Sequence, residues 1–206
     1  SPLVHAIPMV PPMGLGNTLN LPEGFAVKLP SGQRWSADVH FINPTPTPLR
    51  VNVAFNLALI PLEEVQYWVG SFDHDAGILE LPPGEETTVS FDCPLMAGTK
   101  LLSVLAHMHG FGERYLIELV RADGETIELL RVDQWDPNYR FAQPSRGFSV
   151  FDYPIREGDQ LRTHCTWFNS SDEVLGYPLE ICTTSGALLG MESAQYCTGT
   201  LVEDGS

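Results

Sequence analysis

Short runs of alternating apolar and polar residues recur along this chain, with clusters of turn-forming residues between them. Side chains of a strand point alternately to the two faces of a sheet, so this alternation is typical of β-strands. The pattern predicts strands at 25–29, 34–42, 49–60, 65–69, 87–91, 101–108, 115–121, 126–132, 147–151, 160–168 and 179–183. Only residues 61–67 are read as a helical turn. Many short strands separated by turns indicate an all-β protein, a sandwich or a barrel.

The composition agrees with a folded chain that is rich in turns. Of its 206 residues, 43% are hydrophobic and only 18% are charged, and there are 18 glycines and 17 prolines. Such a chain can bury a core and favours turns over long helices. Its length fits one large domain or two small ones. Residues 1–23, which are rich in Pro, Gly and Met, are predicted to form an irregular arm.

The charge balance excludes two classes of function. The chain has 26 acidic and 11 basic residues, a formal net charge of -15. A nucleic-acid-binding protein needs a basic surface, and so does a protein that docks on anionic lipid, so neither partner is expected. The sequence contains no apolar run long enough to span a membrane.

The four cysteines are Cys93, Cys165, Cys182 and Cys197. They contain no C-x-x-C pair, which disfavours a zinc ribbon or a thioredoxin-type motif. An even number in an acidic chain suits two disulfides and a secreted or periplasmic location. The alternative is four buried thiols in a cytosolic protein.

The first candidate for chemistry is His107-Met108-His109, which closes the apolar run 101–106. Two residues that are two apart on a strand point the same way, so the imidazoles can form half of a metal site. The alternative is a pair of surface histidines at a strand end. If Cys165 and Cys182 were bonded across neighbouring strands, His164 and Ile181 would share the opposite face, and His164 could join the pair.

Several stretches, taken in order, resemble the C-terminal, catalytic-copper domain of the copper type II ascorbate-dependent monooxygenases, the family of peptidylglycine α-hydroxylating and dopamine β-monooxygenase. The resemblance covers about residues 20–190 and is closest to the bacterial-type members. The matching stretches are Leu21-Pro22-Glu23-Gly24, Leu29-Pro30-Ser31-Gly32, Val39-His40-Phe41-Ile42-Asn43-Pro44, Pro82-Pro83-Gly84, His107-Met108-His109 with Gly112, Val132-Asp133-Gln134-Trp135-Asp136, Gly158-Asp159 through Cys165, and Glu180-Ile181-Cys182.

The resemblance implies an antiparallel β-sandwich of jelly-roll type. It implies a single domain at 24–190, followed by a tail at 191–206 that a disulfide holds. The two disulfides would be Cys165–Cys182 and Cys93–Cys197. His107 and His109 would be two ligands of the oxygen-activating copper.

The chain departs from the family pattern at the third copper ligand. The family has a methionine directly before the cysteine, and this chain has Ile181, which cannot ligate a metal. His164 is our tentative replacement, and Met191 and Met108 are weaker candidates. A three-histidine site with an open position would suit copper or zinc.

Other departures concern the second copper and the substrate. His40 matches one histidine of the family's electron-transfer site, but the adjacent His-His pair upstream is missing. Leu105 and Ser185 stand where the peptidylglycine enzyme has the arginine and tyrosine that hold the peptide carboxylate, so amidation of peptides is not expected. The substrate, a small molecule or a peptide, stays undefined.

The leading hypothesis is therefore a secreted copper protein. If it is an enzyme, it would hydroxylate an aliphatic C–H bond with dioxygen. An external reductant such as ascorbate, an electron-donor partner or a missing upstream domain would supply the electrons. One alternative is a non-catalytic module that binds copper, zinc or a partner. Another is different chemistry at a three-histidine site, with Glu113 or Glu180 as the base. Glu113 and Arg114 could also orient the imidazoles.

Overall fold

The computed structural model describes residues 21–32, 43, 45–52, 54 and 56–202, which form two β-sheets. The strands are β1 (Phe25–Ala26), β2 (Tyr67–Asp75), β3 (Glu86–Pro94), β4 (Lys100–His107), β5 (Gly112–Val120), β6 (Thr126–Val132), β7 (Ser145–Gly147), β8 (Gln160–Phe168), β9 (Thr183–Leu189), β10 (Gln195–Thr198) and β11 (Thr200–Leu201). Two single 3-10 turns, Leu62–Glu64 and Pro137–Arg140, complete the described secondary structure.

The six-stranded sheet has the order β1-β2-β9-β4-β7, and β10 also pairs with β2. The five-stranded sheet has the order β11-β3-β8-β5-β6. Pairing is antiparallel except where β1 and β10 join β2 in parallel. The prediction of an all-β sandwich is confirmed, and the parallel pairs are a feature that the sequence pattern did not indicate.

The core lies between the sheets, because each strand turns its apolar alternate residues inward. Phe72 and Leu101 come from the six-stranded sheet, and Ile117 and Trp167 face them from the five-stranded sheet. Among the polar contacts that cross this core, the Tyr115 hydroxyl donates to the Thr183 carbonyl oxygen at 2.7 Å, and its oxygen lies 2.8 Å from Thr184 Oγ1. Because every second residue of a strand faces the core, the residues between them face outward.

Both expected disulfides are present, Cys93–Cys197 and Cys165–Cys182. The tail is held by more than its disulfide, because β10 pairs with β2 and β11 pairs with β3. Strand pairing with both sheets therefore adds to the disulfide that the resemblance implies.

The strands at 126–132 and 160–168 match their predictions residue for residue. The described residues of 49–60 contain no strand, and the predicted strand 34–42, with His40, lies outside the described residues. None of the helical segments in the described part of the chain is long and apolar enough to cross a membrane.

Candidate metal centre

The His-x-His motif lies where β4 ends, on the outer face of the six-stranded sheet. Ala106 and Met108 point into the core and are fully buried, so His107 points outward, opposite Thr183 of β9. The rings of His107 and His109 lie edge to face, with their centroids 5.2 Å apart. The structure thus brings these two residues together, as their spacing predicts.

The ring of His109 is oriented by a backbone carbonyl. Its Nδ1 lies 2.9 Å from the carbonyl oxygen of Leu179. A carbonyl can only accept, so Nδ1 carries a hydrogen, and in the neutral ring the lone pair is on Nε2. Histidines that bind metals usually donate their other ring N–H in this way, so His109 is already in the ligating tautomer.

The ring of His107 has a different environment. Gln143 Nε2 lies 3.2 Å from His107 Nδ1 and also donates to the carbonyl oxygen of Arg140 at 3.3 Å. The carboxamide nitrogen can only donate, so Nδ1 of the neutral His107 ring is the acceptor here and Nε2 carries the hydrogen, the opposite tautomer from that of His109. Burial, with the charges of His109 and Arg140, lowers the pKa of His107 to about 4, so the ring is neutral at neutral pH. Neutral imidazole is the form that binds metals.

Buried groups hold the turn that follows the motif. The Glu180 carboxylate is fully buried and accepts hydrogen bonds from His109 N at 3.0 Å, Phe111 N at 2.7 Å and Trp167 Nε1 at 3.1 Å. Trp135 Nε1 donates to the carbonyl oxygen of His109 at 2.9 Å. The backbone on either side of the His109 ring is therefore fixed.

His164 does not share a site with the pair. It lies on β8 of the five-stranded sheet and faces outward, since Thr163 and Cys165 point into the core. Its Nδ1 is 2.7 Å from Ser90 Oγ, and its Nε2 is 3.0 Å from Glu118 Oε2. His164 and His107 thus lie on opposite outer faces of a two-layer sandwich, in which the sheets themselves pack about 10 Å apart.

The other candidate ligands also lie away from the pair. Met108 and Met191 are buried in the core. Within residues 21–32, 43, 45–52, 54 and 56–202, no three His, Cys, Asp or Glu side chains come together as a metal site. The pair therefore forms half of a site, and the structure supplies no third ligand of these types from the residues that it describes.

Two further polar residues close to the motif contribute nothing to the rings. Glu113 is exposed, and Arg114 forms an ion pair with Glu86, with its Nη2 2.9 Å from Glu86 Oε1. The expectation that they orient the imidazoles does not match these contacts. Leu179, Glu180 and Gln143 occupy that role instead.

The sequence pointed to only some of the residues that hold the two histidines. Glu180 stands in the Glu-Ile-Cys stretch, where it is read as a base, and Gln143 lies in an irregular segment without a motif. The available signal for Glu180 was an acidic residue two positions before a disulfide cysteine, because a carboxylate close to a buried cysteine needs hydrogen-bond donors. Gln143 carried no such signal.

No protein-family model matches the sequence, and no curated protein matches it. The resemblance to copper monooxygenases stays a prediction, and the chemistry of the site is argued from its own residues.

Proposed function

We propose that this chain is a metal-binding protein that holds a copper ion through His107 and His109. The observation that carries the proposal is the geometry of the pair: two adjacent imidazoles, one of them fixed by Leu179 with Nε2 free to ligate. The metal would lie on the outer face of the six-stranded sheet.

The donor set selects the class of metal. Imidazole suits copper and zinc, whereas calcium and magnesium require several oxygen ligands. The cysteines are all in disulfides, so thiolates are not available. Ile181, the half-buried residue before Cys182, adds an apolar side chain and no donor. Copper is our choice because of the family resemblance, and zinc is the competing occupant.

The protein residues would act in three ways. His109 would bind through Nε2, His107 would bind through Nε2 once its ring adopts the Nδ1–H tautomer and gives up the hydrogen bond from Gln143, and Glu180 would keep the turn in place. A copper ion held there would supply one-electron chemistry with dioxygen. Because two disulfides persist only in oxidising compartments, we also propose that the protein is secreted or periplasmic.

The second candidate function is hydroxylation. In this reaction R–H, dioxygen, two electrons and two protons give R–OH and water, and an external reductant such as ascorbate supplies the electrons. The resemblance and the small number of protein ligands favour it. Ile181 in place of methionine favours a non-catalytic copper site instead.

Copper titration of purified protein tests the proposal. We expect the wild-type protein to bind a single copper ion, and His107→Ala and His109→Ala to weaken binding at least about tenfold. His164→Ala is the matched control, because it removes a histidine from the opposite face. Failure to bind copper, or equal losses in all three variants, would overturn the proposal. Oxygen uptake with ascorbate, measured above the His107→Ala background, separates the enzyme from the binding module.

A further inference from the structure

Glu180 is a buried carboxylate beside the proposed metal site whose oxygens already have partners. Its three donors are the two backbone N–H groups of His109 and Phe111 and the indole N–H of Trp167. Burying a carboxylate is costly unless it is hydrogen-bonded, and three N–H donors meet that requirement. A general base must present an oxygen to substrate, and a side chain with 0% exposure does not.

The dipeptide Leu179-Glu180 contacts His109 at two points. The carbonyl oxygen of Leu179 accepts from the ring at 2.9 Å, and the carboxylate of Glu180 accepts from the backbone N–H at 3.0 Å. The dipeptide is itself held, since the N–H groups of both residues donate to the carbonyl oxygen of Gly176 at 2.8 and 3.0 Å. Two residues later, Cys182 is bonded to Cys165 of the other sheet.

We infer that Glu180 is a positioning residue for the metal ligand His109. Its carboxylate fixes the backbone of the turn, and this brings the His109 ring N–H to the Leu179 carbonyl, so that Nε2 of the neutral ring has the lone pair. The inference rests on the proposed metal site for its function. The contact joins protein groups only, so it can be tested separately from metal binding.

The first test uses the wild-type protein without metal. We expect ¹⁵N NMR to show His109 as the Nδ1–H tautomer, and the amides of His109 and Phe111 to exchange with D₂O at least about tenfold more slowly than that of the exposed Gly110. A mixed tautomer, or exchange as fast as that of Gly110, would overturn the inference whether or not copper binds.

The second test uses variants. Glu180→Gln replaces one acceptor oxygen with an NH₂ group that faces N–H donors, so we expect a mixed His109 tautomer and copper binding weakened about tenfold or more. Glu113→Gln is the matched control, since it removes the same charge from an exposed side chain four residues after His109. Trp167→Phe removes the core-side donor together with part of a buried ring but leaves both backbone donors in place. It is expected to lower the melting temperature, with copper affinity within about twofold of wild type.

The outcomes separate the two proposals. Glu180→Gln behaving like Glu113→Gln would overturn the positioning role, and so would Trp167→Phe losing affinity in proportion to its stability. Wild-type protein that shows the expected tautomer but does not bind copper would overturn the metal site alone. If Glu180→Gln does not fold, Glu180→Asp takes its place, because its shorter side chain keeps the charge and withdraws from the His109 amide.

Discussion

His74 is a fully buried histidine whose two ring nitrogens have no hydrogen-bond partner among the described residues. It points into the core from β2, against the ring of Phe72, with centroids 4.8 Å apart. Its cross-strand neighbours are Thr184 and Cys197, neither of which is charged. Since a proton on this ring would have no acceptor and little solvent, we predict that His74 makes the fold sensitive to acid.

The size of the effect follows from the shift in pKa. Burial lowers the pKa of His74 from 6.5 to about 3. The unfolded chain therefore binds this proton more tightly than the folded chain, so the contribution to stability is intact above pH 6.5 and is lost as the pH falls toward 3. At about pH 5 the predicted loss is about 2 kcal/mol, from roughly 1.5 pH units at 1.36 kcal/mol each.

The assay is urea unfolding of the wild-type protein and His74→Leu at pH 7 and pH 5. Leucine has nearly the volume of histidine and removes both unpartnered nitrogens, so the variant should lose about 2 kcal/mol less between the two pH values. It should also be about 1 kcal/mol more stable at pH 7, since an unsatisfied buried group is removed. Phe72→Leu, a fully buried neighbour of the His74 ring that carries no titratable group, is the control and should keep the wild-type pH dependence. An equal pH dependence in His74→Leu and wild type would refute the reasoning.

Three further predictions concern the stability of the sandwich. Serine at both Cys93 and Cys197 opens a loop of 104 residues and should lower the unfolding free energy by about 4 kcal/mol, measured in urea; a loss below about 1 kcal/mol would contradict this. Asp159→Asn leaves the buried Arg121 guanidinium, 2.6 Å away, without its anion, and should cost about 3 kcal/mol near neutral pH. Burial alone would raise the pKa of Asp159, but hydrogen bonds from the backbone and Arg121 lower it. The stability that Asp159 adds to the wild-type protein is thus present above its ordinary pKa of 3.8 and should disappear as the pH falls through the lowered pKa. Tyr115→Phe removes the hydroxyl that contacts two β9 oxygens at 2.7 and 2.8 Å, and should lower the unfolding free energy by about 1 to 2 kcal/mol.

Where strands carry large apolar residues at alternate positions, the sequence predicts them well. Leu161, Cys165 and Trp167 of β8 face the core and are separated by polar or smaller residues, which is the pattern of a half-buried strand. β9 lacks this signal, because it reads Thr-Thr-Ser-Gly-Ala-Leu-Leu. Its small residues are required by contact: a Cβ at Gly186 would lie 2.1 Å from the Ser103 carbonyl oxygen and 2.4 Å from Phe72 Cζ. Such a requirement is set by neighbouring strands and leaves no periodicity in the strand itself.

At residues 49–60 the sequence predicts a strand that the described residues do not form. The stretch alternates and is rich in β-branched and apolar residues, yet its described residues form no strand, and Leu49, Leu57 and Leu59 are exposed. Alternation records the preference of a segment for an extended chain. A strand also needs a neighbour for its backbone N–H and C=O groups, and the identity of the neighbour is a property of the whole fold.

This dependence on the whole fold also explains why the sequence placed His107 and His109 together correctly but placed His164 wrongly. His107 and His109 are related by the period of one strand, so their common direction could be predicted from the sequence. The placement of His164 depended on the assumption that Cys165 and Cys182 lie on neighbouring strands of one sheet. Their disulfide instead crosses the core, because Cys165 belongs to β8 of the five-stranded sheet, whereas Cys182 directly precedes β9 of the six-stranded sheet. The Cys182 carbonyl oxygen accepts a hydrogen bond from the N–H of Ala76, next to β2. Residues next to two such cysteines point away from the core in opposite directions, so Ile181 and His164 cannot converge on one metal.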